Sequence, residues 1–172
     1  MLHHSPDWSG WHVIMVHIPI ILLLVAPFIV ILGIGLPAAK RGLFLGAALT
    51  LMVLGTTLTF AAVATGERAA KFAGTTPASR VALEGHRALA EASTELFSLL
   101  TLGFMALLFA PRLLGRGLES RINTALLAIY LIFYTTGALF LVHTALHGVH
   151  LVHEFEAKST AIHHLTGTER AR

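Results

Sequence analysis

The residues with the most chemistry in this chain lie near the end of its last apolar run, His143-Thr-Ala-Leu-His147-Gly-Val-His150-Leu-Val-His153. On a helix advancing about 100° per residue, His143, His147 and His150 fall within about 60° of one another, with His153 a little outside that stripe. Imidazole is costly to desolvate in hydrocarbon and is the commonest metal ligand among side chains. Three of them on one face, where a helix leaves a membrane, point to a ligand-binding end.

The composition places that stripe in a bilayer. The chain has 172 residues, of which 55% are hydrophobic and 12% charged, against about 25% charged in a soluble domain. Cysteine is absent, which excludes disulfides, thiolate metal sites, iron–sulfur clusters and covalent c-type haem attachment. The formal charge of +3 comes from Arg and Lys spread over the connections, and no basic run suggests nucleic acid. The 11 histidines outnumber the 9 acidic residues.

Four apolar segments must position these groups. The first runs over 11–36, with Trp8 and Trp11 as interfacial anchors and Pro19 and Pro27 inside it. Its flank lacks Lys and Arg, and its apolar run is long enough to span, so it is expected to be a membrane helix rather than a cleaved signal peptide. Pro27 should kink it unless a neighbour satisfies the freed carbonyl. The second runs over 42–65 and carries Gly46, Gly55 and several threonines, which allow close helix packing in lipid. A polar connection covers 66–85, with a turn at Gly74-Thr-Thr-Pro77 and a fresh helix start at Pro77. The third segment runs over 86–109, and a basic turn containing Arg112, Arg116 and Arg121 follows it. The fourth runs over 122–152, longer than a bilayer needs, and a polar tail fills 154–172. The expected fold is an all-α membrane protein, a four-transmembrane-helix up-down bundle over 1–153. No internal repeat is visible. Lys40, Arg41, Arg112, Arg116 and Arg121 fall at one end, and although the 66–85 connection at the other carries Arg68, Lys71 and Arg80, the positive-inside rule is expected to put both termini outside, in the periplasm of a bacterial inner membrane.

Alternating direction brings His12 and His17 of the first segment, His86 of the third, and His143 to His153 of the fourth to one membrane face. Glu67 joins them, and the opposite turns contain no histidine. A lone interfacial histidine is more often a hydrogen-bonded surface residue than a ligand. His12 beside Trp11 and His153 beside Glu154 fit that description individually. His17 and His143, set in apolar helix, are harder to explain that way. His147-Gly148 puts the smallest residue beside an imidazole, which suits a flat, bulky ligand.

Glu84, Arg87, Glu91 and Glu95 form one stripe on the third helix, with Glu95 roughly 12 Å inside its start. An intramembrane acid is a functional-site candidate, so Glu91 and Glu95 are candidate proton carriers. The alternative is an Arg87–Glu91 helix pair with Glu95 in a wet bundle mouth. His86 faces away from this stripe, toward Ser93.

Neutral imidazoles without thiolate suit haem iron, Zn, Cu or Ni. Two imidazoles from different helices make a bis-His b-type haem, and a bundle supplies the interior. No Glu-x-x-His or His-Glu-x-x-His is present, which counts against di-iron and zinc-peptidase sites.

The opening Trp11-His-Val-Ile-Met-Val-His17-Ile-Pro19-Ile resembles the signature His-Pro-x-x-Val-His-Phe-Pro-Ile-Ala of a family of small bacterial four-helix membrane proteins of unknown function. The likeness continues through the small residues Ala61 to Gly66, His86 at the head of the third segment, and His147-Gly148-Val149. Val13 stands where the family has Pro, and Ile18 where it has Phe. Carried over by position, the family's histidines fall on His12, His17, His86 and His147, enough for one or two bis-His haems. The resemblance implies a redox setting, since the unit accompanies cytochrome c-like domains in some relatives.

These readings converge on a membrane b-type cytochrome-like electron-transfer subunit rather than a stand-alone enzyme. Its expected axial ligands are His17, His86, His143 and His147, with His12 and His150 as substitutes. Its expected partners are a quinone or periplasmic cytochrome c and a larger respiratory complex. Two alternatives remain open. One is a Cu, Zn or Fe binding or transport protein with His163 and His164 as collectors; the other is a non-catalytic structural subunit.

Overall fold

The computed structural model describes the backbone of residues 8–71, 77–115 and 119–169. These form four helices, α1 (Trp8–Gly35), α2 (Ala38–Ala70), α3 (Pro77–Leu113) and α4 (Ser120–Glu169), and no strand is present among the described residues. All four are long and apolar enough to cross a membrane, so the chain fits a multi-pass membrane protein. Each helix packs on the two beside it, closing an up-down ring.

The burial pattern suits lipid rather than water. Ile14, Ile21, Phe28, Leu43, Leu99, Ile132 and Leu139 face outward, where a bilayer solvates them, while the hydroxyls of Thr56, Thr101, Ser93 and Thr144 lie inside. With no hydrophobic drive between helices in lipid, close packing and internal hydrogen bonds must hold them together. Both are present. Gly33 lies under Phe44 and Leu45, Gly55 under Leu23, and Gly137 under Leu100, so close that a Cβ at Gly55 would fall 2.7 Å from Leu23 Cγ. Thr56 and Thr101 hydroxyls join α2 to α3 at 2.8 Å, and Ser93 and Thr144 join α3 to α4 at 3.0 Å.

Pro27 illustrates how the interior accommodates a helix breaker. Proline lacks an N–H, so the carbonyl four residues earlier, that of Leu23, loses its intrahelical donor. The Tyr134 hydroxyl donates to Leu23 O at 2.9 Å from across the bundle, and α1 continues unbroken to Gly35. Tyr130 sits one turn away and donates to Leu100 O at 3.1 Å. Together the two tyrosines tie α4 to both α1 and α3.

Two segment boundaries differ from the sequence expectation. In the polar stretch 66–85, α3 starts at Pro77 as expected, but Gly66-Glu-Arg-Ala-Ala70 continues α2 rather than leaving it. Proline suits a first helical position, where its missing N–H has no partner to lose. The stretch expected as a polar tail is helical to Glu169, with helix formers such as Glu154, Glu156, Ala157 and Lys158 along it.

Tyr134→Phe should destabilise the bundle by about 0.5–1.5 kcal/mol. In a Pro27→Ala background, where Leu23 O regains a backbone donor, that loss should shrink toward zero. A double-mutant cycle measured by reversible denaturation in mixed micelles checks both, and equal losses in the two backgrounds would contradict the assignment.

Candidate cofactor site at the histidine end

The alternation of four helices carries the histidines to one end, as the spacing implies. Among the described residues the opposite end has none and instead carries Lys40, Arg41 and Arg121. There the Arg41 guanidinium folds back and donates to Ile34 O at 3.1 Å, occupying a carbonyl near the end of α1 that lacks a helical donor.

At the histidine end, His12 in the first turns of α1 is half-buried, and its Nδ1 lies 3.2 Å from Thr65 Oγ1 of α2. Its ring edge rests on Gly66, where a Cβ would stand 2.9 Å from His12 Cε1. His86, in the third turn of α3, is placed the same way against α4. Its ring edge rests on Gly148, and a Cβ there would stand 2.8 Å from His86 Cε1. Only glycine admits imidazoles this close to the neighbouring backbone. Gly148 therefore does make room for a flat ring, and that ring is His86 itself.

His86 differs from His12 in one respect. Its Nδ1 is buried and has no hydrogen-bond partner among the described residues. A buried polar atom left so carries a penalty of about 1–3 kcal/mol. Beside it stands His147, with ring centroids 6.5 Å apart and planes within 5° of parallel. His143 lies 6.2 Å from His147 with a 49° tilt. His86 is also within electrostatic reach of His12. Imidazoles from α1, α3 and α4 thus gather at one rim.

The other expected ligands lie around this group. His143, His147 and His150 form the exposed stripe on α4 that the helical spacing requires. His17 is on the outer face of α1, and its Nδ1 donates to Val13 O of its own helix, which leaves Nε2 as its lone-pair nitrogen. The side chains of His153, His163 and His164 lie outside the described residues, as do His3 and His4 altogether. Among the described residues, no three metal-ligating side chains stand close enough together to hold an ion unaided.

The carboxylates occupy the other side of α3. Arg87 bridges Glu67 of α2 at 2.7 Å and Glu91 at 2.8 Å, with all three side chains exposed. The bridge to α2 joins the helix pair that the stripe alone suggests. Below it, Glu91, Thr94 and Glu95 line a cleft of about 230 Å³ whose opposite wall is Phe60, Val63 and Ala64. Glu91 and Glu95 therefore face α2, while His86 faces α4.

The sequence singled out every histidine at this rim. It did not single out Thr65 and Gly66 as the partners of His12, because a Thr-Gly pair in a small-residue helix reads as packing. The chain matches no family model, no curated protein and no solved structure.

Replacing Gly148 with Ala should displace the His86 ring and cost about 1–3 kcal/mol. The matching loss for Gly85→Ala, where a Cβ meets open space, should be absent. Denaturation midpoints of the two variants decide the matter, and equal midpoints would refute the ring-on-glycine packing.

Proposed function

We propose that this bundle is a membrane electron-transfer subunit of the b-type cytochrome kind, holding haem near one face through His86 and His147. The observation that carries the reading is the parallel His86–His147 pair at 6.5 Å. An imidazole nitrogen binds a metal at about 2 Å, so two rings that hold one ion have centroids roughly 6 Å apart once their nitrogens are turned toward it. The buried, unpartnered Nδ1 of His86 supports it as well, since such an atom calls for a partner from outside the chain.

The donor set fits haem better than a bare ion. Zinc sites take three or four protein ligands, whereas haem iron already has four equatorial nitrogens and asks the protein for two. A pair of neutral imidazoles without thiolate is enough. When bound, the iron takes up and releases single electrons without making or breaking a bond to its carrier. The chain's own residues set the position. Gly148 lets His86 approach α4, and the Ser93–Thr144 hydrogen bond one turn deeper fixes α3 against α4. We place the site at the periplasmic face of a bacterial inner membrane because the two short turns of the far end hold Lys40, Arg41, Arg112, Arg116 and Arg121, one more than the Arg68, Lys71, Arg80 and Arg87 in and beside the longer connection at the histidine end.

A site at one face does not carry electrons across a bilayer. Such a subunit works within a larger respiratory membrane complex, passing electrons to or from a quinone or a periplasmic cytochrome c at that face. Glu91 and Glu95 beside the α2/α3 cleft are then the groups suited to accept protons released when a quinol is oxidised, or to supply those consumed when a quinone is reduced.

Protein purified in detergent should show a Soret band that shifts and sharpens on reduction with dithionite. His86→Ala and His147→Ala should each lower haem content by about tenfold or more, while His17→Ala, whose side chain lies exposed on the outer face of α1, should retain it. Full haem content in both core variants would defeat the ligand assignment.

A further inference from the structure

The hairpins α1–α2 and α3–α4 each begin and end at the histidine end. In both, a histidine on the outgoing helix lays its ring on a glycine of the returning one: His12 on Gly66, and His86 on Gly148. A second glycine lies deeper on each returning helix, Gly55 against Leu23 and Gly137 against Leu100. The interval from Gly55 to Gly66 equals that from Gly137 to Gly148.

The correspondence extends through the core. The shift that superposes the two glycine pairs carries Leu45 onto Leu127, Met52 onto Tyr134 and Thr59 onto Leu141, and all six side chains are buried. The shift that carries His12 onto His86 carries Leu23 onto Phe97 and Val30 onto Phe104, again all buried. Helical periodicity alone would match buried positions at several shifts. Here the shift is fixed beforehand by the ring-on-glycine contacts. The hydrogen bonds follow the relation at their acceptors, since Tyr134 donates to Leu23 O and Thr56 donates to Phe97 O, while the donor in the first hairpin lies one turn beyond Met52, the counterpart of Tyr134.

We infer that the bundle is a pseudo-two-fold pair of hairpins about an axis along the membrane normal, and that the residue before the rim glycine decides which hairpin binds a ligand. That residue is Thr65 in the first hairpin and His147 in the second. Parallel repeats of this kind are a known way to build membrane bundles. In the first hairpin the Thr65 hydroxyl meets His12 Nδ1 and satisfies it. In the second, His147 stands at that place, and His86 Nδ1 has no partner among the described residues. The two cradles are alike, one closed by a hydroxyl and the other armed with a second imidazole. This inference rests on the reading of His86 and His147 as the ligand pair. On this inference the halves share buried positions and the ring-on-glycine contact rather than residue identities, and the first hairpin is the more closely packed of the two.

The test is hemin titration of the full chain in detergent, followed by the Soret band, for wild type, Thr65→His, His147→Thr and the double variant. The expected stoichiometries are one, two, none and one haem per chain. One haem in both wild type and Thr65→His would overturn the inference while leaving the proposed function intact. No haem in the wild type would overturn the function, and the inference is then judged on the haem-free protein. There the imidazole ¹⁵N spectrum should show His12 losing its hydrogen-bonded signature in Thr65→His. Should that variant not fold, His147→Thr should make the His86 signals resemble those of His12. Unchanged imidazole signals in the folded variants would overturn it.

Discussion

The approach of an imidazole edge to a bare glycine backbone is the contact on which this architecture turns. It occurs twice, at His12 on Gly66 and at His86 on Gly148, and each time it closes one helix hairpin at the same end. Any side chain at those glycines would occupy the space the ring now fills. The consequence is a rim where half-buried imidazoles from α1 and α3 meet the exposed histidine stripe of α4. Neither the charge at the opposite end nor the apolar outer surface would by itself produce such a gathering.

Below the rim, the interior is organised by the rules of a solvent that neither donates nor accepts hydrogen bonds. Every polar group inside must find a partner in the bundle. Leu23 O, freed by Pro27, finds Tyr134; Thr56 finds Thr101; Ser93 finds Thr144. These pairs fix the rotation of each helix, and rotation decides which histidines face inward. Arg41 Nε at the opposite end and His86 Nδ1 break the rule among the described residues, and His86 does so beside another imidazole. The exception at that place is what supports proposing the rim as a binding site.

Much of this was legible in the sequence. Four long apolar runs and three short connections determine an up-down bundle, and alternation alone brings the histidines to one end. Pro27 announced that its freed carbonyl would need a partner, but not that the partner would be a tyrosine more than a hundred residues later. The rotation of each helix was less legible. His12, beside Trp11, reads as an interfacial residue and proves to face Thr65, whereas His17, deep in apolar sequence, lies on the outer face. A period of 3.6 tells which residues share a face, not which neighbour that face meets. The inferred repeat leaves little mark on the sequence for a related reason, since packing conserves the size of a gap and the burial of a position, and Met52 can answer to Tyr134 without any likeness in sequence.

Electron paramagnetic resonance of the oxidised, purified protein addresses the His86–His147 pair most directly, because the relative orientation of two axial imidazoles sets the splitting of the iron d orbitals. Ring planes within 5° of parallel predict a well-resolved rhombic low-spin ferric signal. A high-spin signal, or the highly anisotropic low-spin signal of perpendicular rings, would contradict this pair as the ligands.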